Sequence, residues 1–237
     1  MSVILPSDRG YRGAKRARQG NARLDPRFDG FVAGFRKRFG FGPLWLETDH
    51  LRHSSGSPAR PRLNVVLERT PQYRSFHTAD HNYDPAKQGE IAALFAAALS
   101  GVDLRQLFRL KDWPPRTSPG ADIFVCFSDF EQVAKHEAHQ SVTEREIGQF
   151  TATLGLGDNF WCVQRLFGPP VVFVHTDEQA AALAASPVRD RWADDYFALV
   201  QAHDEFGYLL RTEIAIEVDS KENFDLNYEG NWYYYFK

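Results

Sequence analysis

Cysteine is nearly absent from this chain, and methionine occurs once. Cys126 and Cys162 alone give no disulfide framework, which excludes a small stapled scaffold. Long apolar runs are missing as well. The longest run without Asp, Glu, Lys or Arg covers 91–102, twelve residues, whereas a membrane-spanning helix needs about twenty. The opening MSVILPS is too short for the apolar region of a signal peptide. The expectation is a soluble, cytoplasmic protein whose two thiols are reduced and buried in strands.

The common catalytic and cofactor motifs are absent too. No G-x-x-x-x-G-K-[ST] phosphate loop and no G-x-S-x-G elbow occurs. Gly155-x-Gly157 is followed by Phe160, so the third glycine of a dinucleotide loop is missing. The stretch from Asp225 to Gly230 opens like a calcium loop, but its twelfth position is Phe236 rather than a bidentate Glu. Each cysteine is flanked by apolar residues and has no adjacent base, which argues against a nucleophilic thiolate. No cofactor is expected.

What the chain does hold is enough length, 237 residues, for one sizeable core, and a high aromatic content of 14%. With a single Met, aromatic and aliphatic side chains must fill that core. Charge is unevenly spread. Residues 1–23 carry six basic side chains against Asp8, and residues 177–237 carry thirteen acids against five bases. Such ends are either solvated faces or surfaces for an oppositely charged partner.

Read in order, residues 1–24 lack an apolar period and are expected to form a flexible basic arm. Residues 25–237 read as a single α+β domain, a mixed and mainly antiparallel sheet flanked by amphipathic helices, with two halves joined near 111–120 as a variant. Asp25-Pro26 starts a helix whose Phe28, Phe31, Val32, Phe35 and Phe39 share one face, and Gly40 ends it. Strands are predicted at 43–48 and 62–69, around a loop at 53–60. Segment 71–84 has no clear period, and long irregular segments are often functional. Asp84-Pro85 starts a second helix reaching about Leu99, and a short one follows Asp103. A strand at 123–127 leads to helices at about 129–139 and 142–154, each behind a capping-box pattern.

The centre is expected at 160–167 and 171–175, two aromatic and β-branched strands separated by Gly168-Pro169-Pro170. A capped Ala-rich helix follows from Thr176. A further helix starts at Ser186-Pro187 and presents Trp192, Tyr196 and Val200 on one face. Last come strands at 212–218 and 231–236, the latter with Trp232, Tyr234 and Phe236 turned inward.

Histidines cluster three times, as Asp49-His50-x-x-His53, His77-x-x-Asp80-His81 and His136-Glu137-x-His139. Histidine and carboxylate are ligands for zinc, manganese or iron. His77, Asp80, His81, His136 and His139 are therefore the candidate metal residues, although the spacing is not the H-E-x-x-H of zinc proteases. The catalytic residues stay unknown at this level.

Two functional readings result. The first is a cytosolic binding or regulatory protein without catalysis, an immunity-type or adaptor protein presenting its acidic C-terminal surface to a basic protein partner. The alternative is a metal-dependent hydrolase of unfamiliar type built from the His/carboxylate clusters. Nucleic-acid contact through the arm is a further reading, against which stands its single aromatic, Tyr11. No membrane partner is expected. Convergence of His77, His81, His136 and His139 in one pocket would discriminate between the two.

Overall fold

The structure, a computed structural model, describes residues 5–51, 59–110, 120, 122–166 and 168–237. It is an α+β protein in which, among the described residues, the strands form two three-stranded sheets, one in each of two units, Met1–Val133 and Ala134–Lys237. The chain passes from one unit to the other inside a helix rather than at 111–120, most of which lies outside the described residues.

The first unit contains α1 (Arg9–Arg18), a 3₁₀ turn, α2 (Asp29–Phe39), β1 (Trp45–Leu51), β2 (Arg60–Leu67), α3 (Thr70–Arg74), α4 (Pro85–Ala98), α5 (Leu104–Leu107), β3 (Phe124–Asp129) and the start of α6 (Phe130–Ser141). β1 pairs antiparallel with β2, and β2 pairs parallel with β3. Alternation along β2 sends Leu63, Val65 and Leu67 to one face, where they meet Phe31 and Phe35 of α2 and Phe95 of α4 in the core. Asp84 caps α4 by accepting from Ala86 N and Lys87 N, and Pro85 occupies the first helical position.

The second unit holds α7 (Glu144–Thr153), β4 (Phe160–Gln164), β5 (Val171–Val174), α8 (Asp177–Ala184), α9 (Val188–Gln201), β6 (Glu217–Ser220), α10 (Lys221–Tyr228) and α11 (Trp232–Tyr235). β5 lies between antiparallel β4 and parallel β6. Val172 faces a core made by Trp192, Tyr196 and Val200 of α9 with Ile147 and Phe150 of α7. Val171 and Phe173 face the other way, onto Phe224 of α10 and Trp232, Tyr235 and Phe236 at the C-terminus.

The two units repeat one topology: helix, antiparallel hairpin, two helices and a short turn, then a third strand parallel to the second and running straight into a helix. The correspondence reaches single hydrogen bonds. Glu131 N donates to Glu68 O, as Glu222 N donates to His175 O. The Glu131 carboxylate accepts from Thr70 N at 3.2 Å, and that of Glu222 accepts from Asp177 N at 2.8 Å. Asp129 and Ser220, each the last residue of its third strand, cap the next helix through Gln132 N and Asn223 N. In both units the carboxylate lies against first-turn amides of the helix after the second strand, where the helix dipole favours negative charge. Few of these positions keep the same residue, which is why no repeat is visible in the sequence.

Several sequence expectations change. Residues 9–18 are not an unstructured arm but α1, with Tyr11 and Ala14 buried and Tyr11 stacked on Phe130 at 5.2 Å. Two glycines permit the close approach: a Cβ on Gly13 would lie 2.3 Å from the Trp45 indole nitrogen, and one on Gly10 would lie 3.2 Å from Asn64 Nδ2. Of the two strands expected at the centre, β5 is central, but β4 is an edge strand and only half-buried. The strand expected at 212–218 is a 3₁₀ turn followed by β6. The aromatic C-terminus is helical, not extended, because Glu229 and Gly230 take positive φ and Asn231 Oδ1 then caps α11 through Tyr233 N. Its inward set is Trp232, Tyr235 and Phe236, while Tyr234 is exposed. Cys126 and Cys162 lie in strands as expected but are half-buried rather than buried.

Candidate functional site

The polar face of the first sheet builds the site. Glu47 on β1, Asn64 on β2 and Cys126 on β3 stand in register, as do Asp49 and Arg62, and with Ser128, opposite Val66, they point away from the core. In the second unit the matching face is covered by α10 and α11. In the first unit α1 lies against Trp45, Glu47, Asn64 and Val66. The rest of the face opens into a cleft of about 840 Å³, walled by Asp8–Tyr11 and by residues 73–83.

The segment 77–83 that the sequence left unassigned is the rim of this cleft. His77 and Tyr83 pair as an isolated antiparallel bridge. Thr78 N donates to Asn82 O, and His81 N to Thr78 O. His81 takes φ of 59°, a left-handed turn position that non-glycine residues rarely adopt. Behind the rim, the rings of Tyr73, His77 and Tyr83 pack in a row at centroid distances of 4.3 and 4.9 Å. The Tyr83 hydroxyl donates to Phe127 O at 3.3 Å. Tyr83 thus satisfies a carbonyl on edge strand β3 and holds the rim against the sheet.

The charges of the floor are largely tied to each other. Arg62 forks onto Asp49, with Nε to Oδ1 at 2.7 Å and Nη2 to Oδ2 at 2.5 Å. That bidentate bond holds the Arg62 guanidinium protonated above its ordinary range, outweighing burial, which pulls the other way. Arg9 Nη2 lies 3.6 Å from Glu47, which also accepts from the Trp45 indole at 3.2 Å. Ser128 Oγ donates to Asn64 Oδ1 at 2.8 Å, and Cys126 Sγ shares that acceptor at 3.6 Å. Burial pushes the Cys126 thiol up to about 12, against a smaller opposing pull from Arg62, so it is a protonated donor. Burial likewise raises the Tyr83 phenol to about 12.

His77, Asp80 and His81, named from the sequence as candidate metal residues, all line this cleft. His77 Nδ1 lies 3.0 Å from Tyr73 O. His136 and His139 belong to the second unit, on α6. His139 is buried, shares a hydrogen bond with the Tyr196 hydroxyl, and borders a separate cavity of about 280 Å³. His77 and His81 thus belong to the first unit, and His136 and His139 to the second. Among the described residues no group of three or more His, Cys, Asp or Glu side chains is placed to hold a metal ion. His50 bonds Phe108 O from β1, and His53 lies outside the described residues.

Sequence reasoning missed Arg62, Asn64 and Ser128 as site residues, and noted Asp49 only as part of a cluster with His50 and His53. Their signal was present as polar positions alternating with Leu63, Val65 and Val125, but an ordinary solvent-facing strand surface reads the same way. No protein-family model, curated protein or solved structure matches the chain. Chemically the cleft offers carboxylates, hydrogen-bond acceptors and aromatic edges. Its thiol is protonated and hydrogen-bonded to an amide rather than paired with a base, unlike an activated nucleophile.

Proposed function

We propose that this is a binding or regulatory protein, of the immunity or adaptor kind, and that the cleft of the first unit receives part of a protein partner. One observation carries the reading: the sheet face that the second unit covers with α10 and α11 is only partly covered in the first unit, where the open part is lined with polar groups. An open, walled sheet face of this volume falls within the size range of binding sites. The acid excess of residues 177–237 supports a basic partner. A cytosolic location goes with this reading, in keeping with two unpaired cysteines.

A photoreactive residue at Asn82 on the rim, introduced into the full chain expressed in its native host, tests the proposal. The expected result is one cross-linked protein that is lost when the photoreactive residue is moved to Glu178 in the second unit. Equal labelling from both positions would sink it.

The second reading, a metal-dependent hydrolase, is favoured by His77, Asp80 and His81 bordering the same cleft. Its test is turnover of simple carboxylic and phosphoric esters with added zinc or manganese. Activity that disappears in His77→Ala would replace the binding reading.

A further inference from the structure

We infer that the cleft of the first unit takes a basic peptide segment, one that presents at least two lysine or arginine side chains. This deepens the binding reading above and rests on it. Four carboxylates line the cleft, Asp8, Glu47, Asp49 and Asp80, against two guanidiniums, Arg9 and Arg62. Both guanidiniums face carboxylates already, Arg62 on Asp49 through two bonds and Arg9 towards Glu47. An anionic ligand would therefore have to break an existing pair.

The remaining two carboxylates are different. Asp8 accepts a bond from Leu5 N, and among the described residues neither Asp8 nor Asp80 has a cation within ion-pair distance. They come from separate elements, Asp8 from the start of α1 and Asp80 from the rim. Two acceptors on separate elements suit two cationic side chains better than one. The same cleft is lined by half-buried Tyr73, His77 and Tyr83, aromatic surface of the kind that takes the alkyl stem or charged head of lysine and arginine. A volume of about 840 Å³ exceeds one side chain and accommodates a short stretch of chain.

The experiment uses the full-length protein and three fluorescein-labelled pentapeptides, Gly-Arg-Gly-Arg-Gly, Gly-Lys-Gly-Lys-Gly and Gly-Glu-Gly-Glu-Gly, followed by anisotropy at low ionic strength. Both basic peptides are expected to bind and the acidic one not. Among the described residues the Asp80 side chain makes no hydrogen bond or ion pair, so Asp80→Asn should weaken binding about threefold without disturbing the rim, and Asp8→Asn with Asp80→Asn about tenfold. Glu178→Gln with Asp195→Asn, exposed acids of the second unit, should leave binding unchanged. Equal loss in both double variants would mean diffuse attraction to an acidic protein and would overturn the inference. So would binding of the acidic peptide, or of none. If the basic peptides fail while the Asn82 cross-link persists, this inference falls and the binding reading stands.

Discussion

His139 Nδ1 and the Tyr196 hydroxyl are 3.0 Å apart in the core of the second unit, with their rings nearly parallel. Both residues are buried. Burial first, then the nearby His136 and Arg165, hold the His139 imidazole down to about 4, so it is neutral when folded. A histidine with a depressed folded pKa contributes stability that is present above its unfolded value and lost as pH falls through the folded one. The window here runs from about pH 6.5 down to about 4, and the loss is on the order of 3 kcal/mol. Urea midpoints for wild type and His139→Gln should converge as pH drops across that window. A constant gap between the two would refute the assignment.

The docking of α1 rests on Gly13. In an open helix Gly→Ala stabilises by up to about 1 kcal/mol. Here the added methyl would meet three atoms of the Trp45 indole at under 3 Å. Gly13→Ala should instead cost about 1–3 kcal/mol and expose α1 to limited proteolysis. A raised melting temperature with unchanged proteolysis would show that α1 does not pack where described.

The aromatic C-terminus divides its side chains helically. Trp232 packs on Trp161, Phe173 and Phe224, with centroids as close as 4.0 Å, whereas Tyr233 is 67% exposed. Trp232→Ala should destabilise by about 2–4 kcal/mol, and Tyr233→Ala should stay within about 0.5 kcal/mol of wild type. Tyr235 donates its hydroxyl to Asp219 at 2.8 Å, so Tyr235→Phe should cost about 1 kcal/mol. Thermal denaturation ranks the three. Equal effects at 232 and 233 would contradict the helix.

The two thiols should be slow to react. With Cys126 pushed up to about 12 and Cys162 to about 11, both by burial, roughly one molecule in 10⁵ and one in 10⁴ carries the thiolate at pH 7. Labelling by iodoacetamide should reach completion only after unfolding. Rapid native labelling of Cys126 would mean the cleft activates it, and would favour a catalytic reading.

Local signals were legible wherever a single segment decides its own conformation. Asp25, Asp84 and Asp103 cap their helices, and Gly40 ends α2 with φ of 83°, because capping and left-handed turns depend on a few adjacent residues. The Phe31/Phe35 face and the Trp192/Tyr196/Val200 face are periodic, and a periodic apolar face must be buried. The same reasoning failed at 231–236, where a run of aromatic residues suits strand or helix equally, and the cap at Asn231 decides.

Tertiary structure alone decided the rest. Alternation on β2 and β3 is a property of each strand, but whether the polar side faces water, a helix or a cleft depends on what packs over it. In the second unit that face is apolar at Val171 and Phe173 and draws in Trp232, Tyr235 and Phe236. In the first it carries Arg62, Asn64 and Asp49, and the basic helix that packs there approaches Trp45 and Asn64 through Gly13 and Gly10. His77 and His81 reach the cleft because the rim folds back through the His77–Tyr83 pair, while His139 turns into a different core. Those outcomes rest on contacts between segments far apart in the chain, which spacing along one segment does not encode.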